Sequence, residues 1–391
     1  MNKLNKIQKQ MLDQDVQDDL NKIGNLSELN TTEKTDLVKA VNENVSQLAQ
    51  NAYIPQLLAP EVNYTNALNR ELNKIDNEKG GTILIPQGKE LTFNTITITK
   101  RNVRIVGSGI LNGKIILNSD ENNFINFYAE GVTFKGATPI ELKRGRGIRL
   151  VGCTFEDNDK AIFVNPNINA NFHQIAMLYV SLCHFRDVNY ALYIDKPTGS
   201  VDWLANDFIF TNNIVNRAFI THIYAEEIDG IVITGNTFFF PSYNTLNTTK
   251  EYNICIKRSD WAIIANNNLF EAGYESVYLE NAKHPMVNNN NIAWCGQRRP
   301  SSAIKLTYSG EGSGIPNTLV SMGKVVDNNI SKATKHGVEI VNNAFVSVLD
   351  NTIECSLTND VYYYGDVDLT TIEHFGTHVS GSNVQKIKTR N

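Results

Sequence analysis

Apolar and polar positions follow three regimes along this chain. In the first, apolar residues fall at Leu4, Ile7, Met11, Leu20 and Ile23, then at Leu37, Val41, Val45 and Leu48. Spacings of three and four put them on one helical face, in a stripe as narrow as a coiled-coil seam. Gly24 and Asn25 suit a helix stop, and Thr31 or Thr32 with Glu33 and Asp36 suits the next N-cap and an acidic first turn. A seam this thin needs a partner, so residues 1–52 read as a helical attachment or oligomerisation segment. Residues 53–80 read as a connector and capping helix, with Leu68, Leu72 and Ile75 at helical spacing and a stop at Gly80-Gly81.

From Gly81 the period drops to two. Thr95, Thr97 and Thr99 alternate with Ile96 and Ile98, as in a half-buried strand. The chain then repeats itself to about residue 355. One element pairs a small polar residue with an apolar one two places on. It occurs as Cys153-Thr-Phe155, Cys183-His-Phe185, Asn212-Asn-Ile214, Asn236-Thr-Phe238, Asn267-Asn-Leu269, Asn290-Asn-Ile292, Asn328-Asn-Ile330 and Asn351-Thr-Ile353. The intervals run from 23 to 38 residues, as expected of solenoid coils with loops of varying length. A second element follows most of the first ones, as in Ala161-Ile-Phe-Val and Ala191-Leu-Tyr-Ile. Each coil buries its apolar side chains against its neighbours. Inward asparagines at one turn predict a ladder in which each amide bonds the next, with cysteine replacing it in the first two rungs. The predicted fold is all-β, a right-handed parallel β-helix over residues 81–360. Residues 361–391 read as a C-terminal cap or tail, with Tyr362-Tyr-Tyr364 packed over the last coil.

Composition narrows the partners. The chain has 391 residues, a net charge of −5 and no basic tract, which argues against nucleic acid. No run of 18 apolar residues suggests a membrane span, and the N-terminus lacks a signal-peptide core. The five cysteines are widely spaced, with no CxxC pair, and suit reduced thiols made in a cytoplasm. No metal site or cofactor is expected: His374 and His378 stand four apart in a non-helical context, and Gly107-Ser-Gly109 is a lone glycine turn.

The GGTILIPQG entry, the ITIT and NVRIVGSG strands and the GNTF-type coils resemble the pectate-lyase-like superfamily of β-helices. Within it, the layout is most similar to bacteriophage tailspikes and tail appendages, and the leader IGNLSELNTTEKTDLVKAVNEN resembles a helical segment of phage tail and fibre proteins. The resemblance implies a homotrimeric virion tail protein, assembled in the host cytoplasm. It would be held to other tail proteins through residues 1–52, and would bind and sometimes cleave a host cell-surface polysaccharide such as teichoic acid or capsule.

Cleavage of a glycan needs two carboxylates about 5–9.5 Å apart, a separation that side chains on adjacent or next-adjacent coils can supply. On the outward positions of the second element, Asp195, Glu280 and Glu339 face the same way, though not on adjacent coils. Glu226 and Glu227, on an intervening coil near His222, are candidates for the missing partner. Phe163, Tyr193 and Tyr278 are outward rings able to stack on sugars or to line a trimer interface, and Trp203 lies in a long inter-strand segment. Three functions remain open: a glycan-binding tail appendage, a depolymerase working through these carboxylates, and a purely structural shaft.

Overall fold

A computed structural model describes residues 52–389 apart from position 59 and segments 120–124, 167–174, 197–204, 240–250, 309–322, 343–345, 355–357, 365–370, 376–378 and 382–385, with backbone alone from 371 onward. The chain divides into two units, residues 1–53 and 54–391. The helical expectation for the leader, like the candidate Trp203, lies outside the described residues.

The one helix among the described residues, α1 (Thr65–Lys74), lies within the segment read as a capping helix. Leu68, Leu72 and Ile75 are buried, as the spacing predicts, and Ala67 joins them. Its C-terminal carbonyls are satisfied by Lys100, whose Nζ donates to Asn73 O at 2.9 Å and Ile75 O at 2.6 Å. That is the favourable end of the helix for a cation. Asn94 N–H donates to Thr65 Oγ1 at 3.0 Å, tying the helix to the first coil.

From Gly81 the chain winds into a solenoid whose strands pair in parallel, each with its counterpart one coil away. Three sheets form its walls. Sheet A contains Lys160–Val164, Tyr190–Ile194, Val277–Glu280 and Ile304–Thr307. Sheet B contains Val103–Gly107, Tyr128–Glu130, Ile175–Ser181 and Ala205–Thr211. Sheet C contains Thr154–Glu156, His184–Val188 and Ile214–Ala218. The strands Ile223–Thr234 and Ile254–Ala265 run through the corner from A into B.

Inward residues stack on their counterparts. Phe134, Phe155 and Phe185 lie in register, with ring centroids 5.0 and 4.7 Å apart, and all three are fully buried. Burial of each such side chain contributes about 1.5–3 kcal/mol. At the B–C turn stands the asparagine ladder: Asn213, Asn236, Asn267, Asn290, Asn328 and Asn351, all buried. Each of the first five donates its amide to the Oδ1 of the next, at 2.9–3.1 Å. Cys183 heads it, its backbone N–H donating to Asn213 Oδ1 at 2.9 Å.

One rung differs from expectation. Asn213, not Asn212, enters the ladder, so Val215 rather than Ile214 is in the core. Asn212 occupies the left-handed turn position before it (φ 54°), which asparagine tolerates well. A second correction concerns the end of the solenoid. Tyr362-Tyr-Tyr364 does not cap the last coil but belongs to the strand Asn359–Tyr364, paired in register with Glu339–Val341. Further strands at Thr371–Phe375, Val379–Gly381 and Lys386–Thr389 continue the parallel pairing beyond residue 360. The sequence missed them because the asparagine signal stops at Asn351. Cys153, Cys183, Cys255 and Cys295 are buried free thiols.

Candidate active site

Sheet A carries two outward columns. In the first, Phe163, Tyr193, Tyr224, Cys255, Tyr278, Lys305, Glu339 and Tyr362 succeed one another in register. On the first three coils this sets the rings of Phe163, Tyr193 and Tyr224 side by side as a platform. Tyr193 and Tyr224 stack at 4.9 Å, and Phe163 lies 5.7 Å from Tyr193. Lys160 Nζ sits 4.3 and 4.2 Å from the Phe163 and Tyr193 ring centroids. Tyr278 stacks at 5.3 Å on the buried Tyr252 instead.

The second column, two residues on, holds Glu226, Lys257, Glu280 and Thr307 in register. Ile194 pairs with Ala225, so Asp195 stands beside Glu226 on the neighbouring coil. Neighbouring strands lie about 4.8 Å apart, which brings the two carboxylates together. Burial raises the Asp195 pKa, Lys160 opposes this, and the charge of Glu226 raises it again. Burial first, then Asp195 and Glu226, push the Tyr193 phenol up to about 12. Tyr224 Oη donates to Glu226 Oε2 at 3.0 Å, and Arg258 Nη2 donates to Glu226 Oε1.

The remaining candidates divide. Glu227 is at the A–B corner in a left-handed conformation (φ 55°), buried between Lys196 and Arg258; Arg258 Nε lies 3.0 Å from it. It is a corner ion pair rather than an exposed carboxylate. Glu280 accepts Tyr278 Oη at 3.2 Å, with Lys257 Nζ at 3.8 Å, two coils from Glu226. Glu339 holds the expected column position but is only 4% exposed. Ser302 Oγ donates to it at 2.6 Å, Lys305 Nζ at 3.0 Å and Lys335 Nζ at 3.3 Å. Burial raises its pKa, but Ser302, Lys305 and Lys335 outweigh this and hold it below the usual range. His222 is a core residue: its ring stacks on Phe238 at 5.0 Å, and burial pushes its pKa down to about 3.

Lys160, Arg258 and Glu275 escaped the sequence reading. Glu275 is 4% exposed, its Oε2 has no hydrogen-bond partner, and burial raises its pKa. Its only sequence signal is its place just before Ser276, which opens a strand. Among the described residues, no group of three or more His, Cys, Asp or Glu side chains is placed to hold a metal ion.

The arrangement is a half-buried carboxyl with a raised pKa, a second carboxylate one coil away, and an aromatic platform beside both. Residues 229–391 match a family described as a right-handed β-helix region. No curated protein matches the chain. Among solved structures it is similar to a mutant DFA-IIIase from Arthrobacter chlorophenolicus A6 in complex with DFA-III, at 13% identity over 82% of this chain and 94% of that one, with a TM-score of 0.60. It is also similar to DFA-IIIase from that organism without its lid in complex with GF2, at 14% identity over 87% and 98% of the two chains, TM-score 0.59. The mannuronan C-5 epimerase A-module of Azotobacter vinelandii is similar at 14% identity over 83% and 96%, TM-score 0.49. The fold is thus a right-handed parallel β-helix. The solved structures named here are not phage proteins.

Proposed function

We propose that this β-helix hydrolyses the glycosidic bonds of a carbohydrate polymer at Asp195 and Glu226. The observation that carries the reading is the pairing of those carboxylates on adjacent coils, with the Asp195 pKa raised, beside the Phe163–Tyr193–Tyr224 platform. A raised pKa suits a proton donor. Asp195 gives its proton to the leaving oxygen while Glu226 attacks the anomeric carbon. Water then cleaves the glycosyl ester, returning a proton to Asp195. Adjacent coils lie about 4.8 Å apart at the backbone, nearer the carboxyl spacing of retaining than of inverting enzymes, so the product is expected to keep its anomeric configuration. Glycan depolymerase activity also accords with the carbohydrate-enzyme names of the solved β-helices above, which share the fold with this chain.

The test is incubation with a panel of neutral and acidic glycans, including teichoic acids and capsular polysaccharides, read by product size. Asp195→Asn and Glu226→Gln are each expected to lower turnover about 100-fold or more. Full turnover in both variants, or loss confined to Glu280→Gln, overturns the assignment.

A second reading, adsorption to a host glycan without cleavage by a trimeric phage tail appendage, is favoured by the aromatic column alone, since rings bind sugars with or without turnover. Bound but intact polymer, released by Tyr193→Ala or Tyr278→Ala, selects it. Neither binding nor cleavage leaves a structural shaft.

A further inference from the structure

Sheet B, across the corner from these carboxylates, carries an outward column of its own. Arg104, Tyr128, Arg149 and Tyr179 succeed one another in register on four coils. Two residues before each, the chain bends through a left-handed residue: Asn102, Asn126, Gly147 and Met177, with φ of 56°, 43°, 74° and 57°. The bend residues and the column together line a groove of about 880 Å³, to which Asp207 and Ile209 on the next coil also contribute.

The groove floor alternates cation and ring. The Arg104 guanidinium lies 5.1 Å from the Tyr128 ring centroid. Both arginines are exposed. Among the described residues, neither has a carboxylate partner. The acidic groups nearby are already engaged: Glu130 accepts the Tyr128 hydroxyl at 2.8 Å, and Asp207 accepts the Asn206 amide at 2.9 Å. On sheet C, by contrast, arginines are paired, as in Arg186–Glu156 at 2.5 Å and Arg217–Asp187 at 2.5 Å. Guanidinium groups are suited to carboxylate and phosphate oxygens, and flat rings between them suit sugar faces.

We infer that this groove is a second binding site, separate from the sheet A carboxylates, for a polyanionic glycan lying along the solenoid axis. The arginines take its negative groups and Tyr128 and Tyr179 take the units between. The shared chemistry is a repeating anion, carboxylate or phosphodiester. The site would hold a polymer on the wall next to the one that carries the reacting bond, and its occupancy does not depend on turnover.

Affinity electrophoresis of the full chain tests this, with gels containing polygalacturonate, poly(glycerol phosphate) or neutral dextran. Retardation is expected in at least one polyanion gel and none in dextran, and the gel that retards identifies carboxylate or phosphodiester as the anion recognised. Arg104→Gln with Arg149→Gln is expected to weaken that binding about tenfold or more, with an unchanged unfolding midpoint. Asp195→Asn and Tyr193→Ala should leave it intact, so a failed hydrolase reading and a failed groove reading give different results. Absence of retardation in both polyanions, unchanged binding by the double arginine variant, or binding lost in Tyr193→Ala instead, overturns the inference.

Discussion

Replacing Asn267 with alanine removes more than one side chain's interactions, because each ladder amide serves two coils. Its Nδ2 donates to Ile233 O at 2.9 Å and to Asn290 Oδ1 at 2.9 Å. Its Oδ1 accepts Asn236 N–H and Asn236 Nδ2, both at 3.0 Å. Asn267→Ala therefore strands the Asn236 backbone N–H and the Ile233 carbonyl without their ladder partner, in a site closed to water. A buried group left unsatisfied costs about 1–3 kcal/mol, so the variant should lose about 2–6 kcal/mol. Asn268, the next residue, supplies the control: it is exposed and its one ladder contact is a long 3.5 Å bond from Asn291. Asn268→Ala should stay within about 0.5 kcal/mol of wild type. Urea unfolding followed by circular dichroism reads both. A loss below about 1 kcal/mol for Asn267→Ala, or equal losses for the two variants, would refute the claim that the ladder stabilises the stack.

Three more predictions concern the buried acids and the assembly. Burial raises the Glu275 pKa, so its protonated form fits the fold, and stability is lost as pH rises through the folded value. Glu275→Gln should raise the thermal midpoint at pH 8 and change it little at pH 4; a lower midpoint at pH 8 would show a needed carboxylate. Glu339 has the opposite sign: its pKa is lowered, so it stabilises above the usual carboxylate range and that support disappears as acid protonates it. Glu339→Gln should cost about 3 kcal/mol at pH 7, the scale for breaking a buried ion pair, with the deficit shrinking toward pH 3 in the same melts. The narrow seam in residues 1–52 leads to the expectation of a trimer by sedimentation equilibrium, against which a stable monomer at micromolar concentration would count.

Much of the fold was legible because solenoid stacking repeats its chemical demands. An inward asparagine must bond its counterpart, so Asn236, Asn267, Asn290, Asn328 and Asn351 all announce the same turn. Where two asparagines adjoin, as at Asn212 and Asn213, residue type cannot decide which turns inward, and the rung is misread. Beyond Asn351 the ladder chemistry ends while the strands go on, so the boundary was placed too early. At the site, the outward columns follow from strand alternation, which picks out Asp195, Tyr193 and Tyr278; Glu226 enters only as part of the Glu226-Glu227 cluster on the intervening coil. Exposure was not legible. Glu339 shares its column with Tyr278, yet Ser302 and Lys335, from outside that column, bury it. Corner geometry was equally hidden, because only the left-handed turn at Glu227 reveals that it points to Lys196 and Arg258. The sheet B column was overlooked because its four members lie a full coil apart in sequence, with no shared residue type to mark them.

Eight successive coils bend at the same left-handed position, from Asn102 through Asp207 and Trp261 to His284. Fixing that bend fixes the pitch at which outward groups recur, about 4.8 Å per coil and about 9.6 Å between the two arginines. The wall is therefore a graduated scale. A linear polymer whose charges repeat at a whole multiple of that spacing stays in phase for its whole length, while any other drifts out of step within a few units. Selectivity on such a surface comes from commensurate length, and adding a coil sharpens it without changing a single contact.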